Sequence, residues 1–112
     1  MIAVISELWP YADRTGDYFA LSEELRPLLQ QIDGFLSVER FESAADPDKF
    51  VSLSFWRDEQ SLKAWRDLEQ HRLIMAKGRS GILRDYRIRV TKVAFEYGMN
   101  ERANAPLSGK RE

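Results

Sequence analysis

Hydrophobic and polar positions near the start of the chain predict a strand followed by a helix. Residues 2–9 alternate between β-branched or aromatic and small or polar types, and Pro10 closes this run, as is typical of a β-strand. After Tyr18, apolar side chains recur every three or four residues and define one helix face, at Leu21, Leu25, Leu28, Leu29 and Ile32. Pro27 predicts a kink or a break because it lacks a backbone N–H, and Gly34 predicts the end of the helix.

Three more strands follow from the same kind of pattern. Residues 35–42 and 50–56 are separated by the turn-forming segment 44–48, so they should pair as an antiparallel hairpin. The alternation of residues 85–97 predicts a long last strand.

A second helical region is predicted between the hairpin and the last strand. Asp58 can cap its start, and a further helical stretch continues to Gly78. Its buried face carries Leu62, Trp65 and Leu68, whereas its charges, including Arg66, are typical of a solvated face. The resulting order is β-α-β-β-α-β, which is the ferredoxin-like arrangement of an α+β protein.

Both faces of the predicted strands carry large apolar side chains. In residues 50–56, Phe50 and Trp56 point to one side, and Leu53 and Phe55 point to the other. Two helices can cover only one face of a four-stranded sheet. A second copy packed about a twofold axis is the economical cover for the other face, so we expect a homodimer; the alternative, a monomer with an exposed apolar patch, would aggregate.

Length, composition and charge fit one ordinary globular domain. The chain has 112 residues, of which 44% are hydrophobic and 31% charged, and 17 basic against 18 acidic residues give a net charge of −1. This balance predicts no nucleic-acid partner, and the lack of cysteine excludes disulfides and thiolate sites. No basic leader or long apolar run is present at the start, so we expect a cytoplasmic protein without a membrane span. Residues 1–98 are predicted to form the domain, and residues 99–112 a polar tail that is flexible or packed on the partner subunit.

The stretch from residue 49 to residue 98 carries a recognisable order of aromatic and polar positions. Trp56 ends a strand, Trp65 lies on a short charged helix, His71 follows six residues later, and Arg79 precedes the last strand. This order resembles the antibiotic biosynthesis monooxygenase family, and the resemblance covers residues 2–98. It implies a ferredoxin-like α+β fold with a four-stranded antiparallel sheet, two copies of which form a dimeric α+β barrel.

Trp65 and His71 are the first candidates for chemistry. His71 is the only histidine, and its usual pKa of about 6.5 suits proton transfer near neutral pH. The resemblance implies that Trp65 faces a pocket and donates its indole N–H to a substrate oxygen, with His71 as base or relay. The residues alone also fit a core tryptophan and a histidine that bonds a backbone carbonyl.

Arg79 and Tyr86 are the next candidates, because the segment GRSGILRDYRIRV resembles the Gly-Arg and Tyr positions of the family. The resemblance implies that Arg79 holds an anionic or phenolate oxygen and that Tyr86 hydrogen-bonds a substrate or the partner chain. A solvated arginine and an interfacial tyrosine are the alternatives.

Further substrate contacts are predicted from aromatic and polar groups on the strands. Phe41, Phe55 and Trp56 suit a flat ligand. Glu39 either lines the polar end of a pocket or lies in water at a strand end; if enclosed, its pKa would rise and it could act as a base. The sequence contains no metal-ligand cluster and no nucleotide-binding glycine loop, so no bound cofactor is expected.

Three functions are compatible with these residues. The first is a cofactor-independent monooxygenase that oxidises a small phenol-, quinol- or anthrone-like compound with O2, as some members of the resembling family do. The second is a dimer that binds a small ligand without catalysis or acts in stress. The third is a haem-degrading monooxygenase, which the sequence disfavours because Met75 stands where that branch has its ligating histidine and Glu7 replaces its asparagine.

Overall fold

The computed structural model describes residues 1–103, apart from the side chains of Glu69 and Gln70. Residues 104–112, which belong to the predicted tail, lie outside the described part of the chain. In chain order the elements are β1 (Ile2–Pro10), α1 (Thr15–Leu29), β2 (Phe35–Glu42), β3 (Phe50–Trp56), α2 (Glu59–Asp67), α3 (Glu69–Arg79) and β4 (Leu83–Lys92). This order confirms the predicted arrangement, with the second helical region divided into α2 and α3 at the extended residue Leu68.

The four strands form one antiparallel sheet in the order β2-β3-β1-β4, which confirms the ferredoxin-like α+β fold. β1 lies in the centre, and its Ser6 is directly opposite Ser52 of β3 and Ile88 of β4. Because side chains alternate along a strand, this register decides which residues of the three strands share a face.

The last strand is shorter than the alternation predicts. β4 ends at Lys92, which pairs with Ile2 at the very start of β1, and the N–H of Val93 then donates to the carbonyl of Met1 over 3.0 Å. Residues 93–97 keep the alternation but form no strand in the described part of the chain.

Pro27 does not break the first helix. α1 runs through it to Leu29, so the one intrahelical bond that Pro27 cannot donate does not end the helix at this residue. Gly34 lies further along, immediately before β2, at a φ of +91°. A Cβ at this position would come within 1.9 Å of the Ser61 hydroxyl, so the close approach of this turn to α2 requires glycine.

The three helices pack on one face of the sheet, named here the covered face, which in β1 carries Ile2, Val4, Ser6 and Leu8. Two buried clusters form the core at opposite ends of this face. One contains Ile2, Val4, Trp56, Leu62 and Trp65, and the other Leu8, Tyr18, Phe50 and Ile82. The serines of β1 and β3 lie between the two clusters, so the middle of the covered face is neither apolar nor filled by large side chains.

The other face of the sheet, named here the open face, carries Ala3, Ile5, Glu7 and Trp9 of β1, and none of the described helices packs on it. From the other strands it receives the large side chains of Phe41, Leu53 and Phe55, and Phe41 is 42% exposed. None of the described helices is long and apolar enough to cross a membrane.

Candidate functional site

A cavity of about 620 Å³ lies between the covered face and the helices. Its floor is the middle of the sheet, with Ser6, Ser52 and Ser54. Its walls are apolar side chains of α1 and α3, among them Leu25 and Met75. It opens beside β4, at the edge of the sheet, where the half-exposed side chains of Tyr86, Ile88 and Val90 border it. The volume and the mixture of apolar walls with a few polar groups are typical of small-ligand sites.

His71 is held against Trp65 at the junction of α2 and α3. The two rings are stacked, with centroids 4.1 Å apart and an angle of 17° between their planes. The His71 Nδ1 lies 3.0 Å from the Trp65 carbonyl oxygen, at the end of α2. Because a carbonyl oxygen can only accept a hydrogen bond, Nδ1 carries the proton and Nε2 of the neutral ring is an acceptor.

The environment of His71 favours the neutral ring. Burial lowers the pKa of His71 below its usual value, and the positive charge of Arg66 acts in the same direction, while the hydrogen bond to the Trp65 carbonyl opposes both. At neutral pH the imidazole is therefore uncharged, and its Nε2 accepts no hydrogen bond from the residues that the structure describes. Since His71 also lines the cavity, it can serve as a general base for a bound ligand.

Trp65 differs from the other two tryptophans in the state of its indole N–H. Trp9 donates to an oxygen of Asp46 over 3.0 Å, and Trp56 donates to the hydroxyl of Ser54 over 2.9 Å. Within the described part of the chain, the indole N–H of Trp65 has no acceptor, although the residue is only 7% exposed and lines the cavity. The group is therefore available to a ligand oxygen, as the resemblance implies.

Arg79 and Tyr86 also border the cavity, Arg79 from the last turn of α3 and Tyr86 from β4. Tyr86 is 43% exposed, and no other residue of the described chain forms an ion pair with Arg79. Trp56 lines the cavity too, but it is 1% exposed and packs against Phe35 and Trp65, so it supports the wall of the site. The fold thus brings these predicted residues together around one space, and their individual roles stay predictions.

Phe55, Glu39 and Phe41 lie on the open face, away from this cavity. Phe55 precedes Trp56 on the same strand and must point the opposite way, while Glu39 and Phe41 pair with Leu53 and Val51 of β3. A ligand in the cavity would not contact these three side chains.

The polar residues at the cavity that were not predicted from the sequence as site residues include Ser6, Ser52, Arg66 and Arg72. Arg66 lies next to Trp65 on α2, and its long side chain reaches the cavity although its position belongs to the polar side of the helix. The two serines interrupt the apolar side chains on one face of each strand, and that interruption was the available signal. Among the described residues, no group of three or more His, Cys, Asp or Glu side chains could hold a metal ion.

Comparisons with known proteins agree with this fold. A sequence model of the family described as antibiotic biosynthesis monooxygenase matches residues 1–77. Jasmonate monooxygenase ABM of Pyricularia oryzae is 43% identical over 101 residues, which make up 90% of this chain and 47% of that protein. The chain thus spans about half the length of this relative.

Solved structures share the fold at low sequence identity. Rv0793 from Mycobacterium tuberculosis has a TM-score of 0.77 and 22% identity, over 87% of this chain and 98% of the other. A variant of SnoaB, a cofactor-independent oxygenase from Streptomyces nogalater, has a TM-score of 0.74 and 6% identity, over 85% of this chain and 94% of the other. With the family match over most of its length, this chain belongs to the antibiotic biosynthesis monooxygenase family.

Proposed function

We propose that this protein is a cofactor-independent monooxygenase that oxidises a small phenol-, quinol- or anthrone-like compound with O2. The observation that carries the proposal is the state of His71, a neutral base whose Nδ1–H is held by a backbone carbonyl beside an apolar cavity. Family membership and the jasmonate monooxygenase relative support oxygen insertion as the reaction type. The structural likeness to a cofactor-independent oxygenase supports the absence of a cofactor from the mechanism.

The reaction begins when Nε2 of His71 removes a proton from the bound substrate. The resulting electron-rich anion can reduce O2 itself, so no other reductant is needed. With an anthrone-like substrate, a CH2 group becomes a carbonyl, one oxygen atom stays in the product and the other leaves as water. The indole N–H of Trp65 and the guanidinium of Arg79 would stabilise the developing oxyanion, and Tyr86 lies where it can add a hydrogen bond. The apolar walls keep water away from the reactive anion.

Oxygen consumption tests this proposal. The purified protein, treated with a chelator, is offered hydroquinones, naphthols and anthrones, and the rate is compared with that of His71→Phe. Phenylalanine can keep the stacking on Trp65 but has no base, so we expect the rate to fall by about a hundredfold or more. Arg26→Met, in an exposed ion pair on α1, is the control and should keep the full rate. A His71→Phe rate equal to that of the parent protein would contradict the assigned role.

The second candidate is a ligand-binding protein without catalysis. The specific observation in its favour is that the hydrogen bond from His71 to Trp65 also fixes the junction of α2 and α3, which is a structural task. In that case no substrate of the panel would raise oxygen uptake above the uncatalysed background, and His71→Phe would keep its affinity for the ligands that bind. The two candidates therefore differ in turnover while they share the cavity.

Haem degradation finds no support in the residues of this cavity. Met75 lines it where that branch has a histidine, and Glu7 lies on the open face, where Lys49 and Arg89 hold its carboxylate. Neither Glu7 nor the single histidine, which is tied to Trp65 through Nδ1, is placed like the haem-binding set of that branch.

We further propose that the working unit is a homodimer formed through the open face. Large apolar side chains cluster there without a helix to cover them, at Ile5, Trp9, Phe41, Val51, Leu53 and Phe55. The one carboxylate among them in β1, Glu7, is neutralised within the same chain by Lys49 and Arg89, so it can be covered without an unpaired charge. Sheet-on-sheet packing about a twofold axis would bury both faces.

A further inference from the structure

Ser6 and Ser52 form a pair of hydroxyl groups at the centre of the cavity floor. They lie directly opposite each other on β1 and β3, so their Cβ atoms are about 5 Å apart. Both are half-buried, and their neighbours along the covered face of β1 are Val4 and Leu8. Neither hydroxyl forms a hydrogen bond with any residue that the structure describes. Two adjacent polar groups in this position point towards the cavity with their hydrogen-bonding capacity unused.

Other serines that line the same cavity have partners in the protein. The hydroxyl of Ser54 accepts the indole N–H of Trp56 at 2.9 Å, and the hydroxyl of Ser22 donates to the Tyr18 carbonyl over 3.1 Å. An alanine at position 6 or 52 would leave the same space without a polar group to satisfy. Partly buried hydroxyls are normally hydrogen-bonded, so the pair is suited to an oxygen atom of a ligand.

The mouth of the cavity carries positively charged side chains instead of hydroxyl groups. Arg66 and Arg72 line both the cavity and an outer groove between α2 and β4, so they stand where the two spaces meet. In the described chain neither forms an ion pair, and the nearby Asp67 is bound to Lys63. Arg79 also lines the cavity, whereas no Asp or Glu is among the described residues that line it. The charge of the site is therefore complementary to an anion.

We propose that the cavity binds a carboxylate that carries a hydroxyl or carbonyl oxygen at its far end. The far oxygen binds between Ser6 and Ser52, and the carboxylate binds Arg66 and Arg72 at the mouth. This substrate class rests on the proposed function in that the same cavity holds the substrate. It restricts the phenol- and quinol-like compounds to those that also bear a carboxylate.

The test measures binding of three fluorescent probes under nitrogen, where no oxidation can occur. The first is a hydroxynaphthoate with its hydroxyl and carboxylate at opposite ends, the second the naphthol without the carboxylate, and the third the naphthoate without the hydroxyl. We expect the hydroxynaphthoate to bind about tenfold more tightly than either of the others. Its affinity should also fall as salt is added, because exposed guanidinium groups are screened.

Two double variants assign the two ends of the ligand. Ser6→Ala with Ser52→Ala should remove the preference for the hydroxynaphthoate over the naphthoate while leaving naphthoate binding unchanged. Arg66→Met with Arg72→Met should remove the preference over the naphthol together with the salt dependence. Ser80→Ala and Arg26→Met are the matched controls, since the exposed Ser80 hydroxyl already donates to the Lys77 carbonyl outside the cavity and Arg26 lies in an exposed ion pair. Unchanged circular dichroism and urea midpoints show that the variants are folded.

Three results would overturn the proposal: no binding of any probe, equal affinity for all three, or an equal loss for all three in either double variant. These results are separable from failure of the proposed function. Selective binding without oxygen uptake by any substrate would contradict the monooxygenase alone. Oxygen uptake that is as fast with naphthols as with hydroxynaphthoates, and unchanged in both double variants, would contradict the carboxylate site alone.

Discussion

Each face of the sheet carries a polar side chain in the middle of β1. In the described chain, only one of these two side chains has partners. On the covered face, Ser6 lies beside Ser52 at the floor of the cavity. The hydroxyl of Ser6 has no hydrogen-bond partner in the described chain. On the open face, the next residue, Glu7, is bound by both Lys49 and Arg89. One polar centre is without a partner in the described chain, and the other is satisfied within it.

This difference distinguishes a surface suited to binding a small ligand from one suited to contact between subunits. An unsatisfied polar group inside an apolar surround is stable only when something else supplies its hydrogen bonds, and a cavity shows where that partner can enter. A satisfied ion pair inside an apolar surround needs no ligand, so the remaining requirement is to remove the apolar groups from water. The covered face thus suits a small molecule, and the open face suits a second copy of the chain.

The largest expected contrast between the faces is in the stability of the single chain. Trp56→Ala removes a side chain that is 1% exposed and packed on Trp65, so we expect the free energy of unfolding to fall by about 3–5 kcal/mol. Phe55→Ala, one residue earlier on the open face, should lower it by about 1 kcal/mol at low protein concentration. Urea denaturation at two protein concentrations measures both. Equal losses at low concentration would show that the two faces are equally buried within one chain.

A charge on the open face should break the proposed dimer. Leu53→Glu places a carboxylate among the apolar groups of this face, and we expect the dimer dissociation constant to rise by at least about 30-fold, which corresponds to about 2 kcal/mol. Leu73→Glu is the matched control, because Leu73 is 60% exposed on α3. Sedimentation velocity over a dilution series gives the dissociation constants. A parent protein that is monomeric at every concentration, or an unchanged dimer in Leu53→Glu, would refute the interface.

The smallest expected effects are changes in stability with pH, and the two faces respond in different pH ranges. Because burial lowers the pKa of His71, the unfolded chain takes up this proton more readily, so stability should fall as pH drops below about 6.5. Lys49 and Arg89 lower the pKa of Glu7 from 4.5 to about 2, so its stabilising contribution is complete above pH 4.5 and is lost as pH falls towards 2.

Thermal unfolding measured against pH separates the two windows. His71→Phe should remove the slope just below pH 6.5 and keep the slope at lower pH, whereas Glu7→Gln should do the reverse. A His71→Phe protein with the same upper slope as its parent would mean that the histidine is not held neutral by the fold.

The sequence predicted the order of elements well, because the alternation of the strands and the helical spacing of Leu21 to Ile32 reflect burial directly. It also grouped Trp65, His71, Arg79 and Tyr86, which the fold does bring to one cavity. The sequence was less informative about which face of the sheet each side chain lies on. Phe55 and Trp56 were both predicted to contact the ligand, although neighbours on a strand point to opposite sides, and that rule could have removed one of them.

Other features needed coordinates for a physical reason. The pairing of Ser6 with Ser52 depends on the register between β1 and β3, which no local pattern encodes. Arg66 looked like part of a solvated helix face, and only the position of α2 over the sheet shows that its long side chain reaches the cavity. The end of β4 at Lys92 likewise depends on its register with β1, in which Lys92 lies opposite Ile2.

The proposed role of His71 requires a neutral ring with its proton on Nδ1, and NMR of the isotope-labelled imidazole tests this state without knowledge of the substrate. Since His71 is the only histidine, its ring signals need no further assignment. We predict a pKa below about 6.5 and, at neutral pH, the tautomer with the proton on Nδ1. A pKa at or above that value, or a proton on Nε2, would contradict the account.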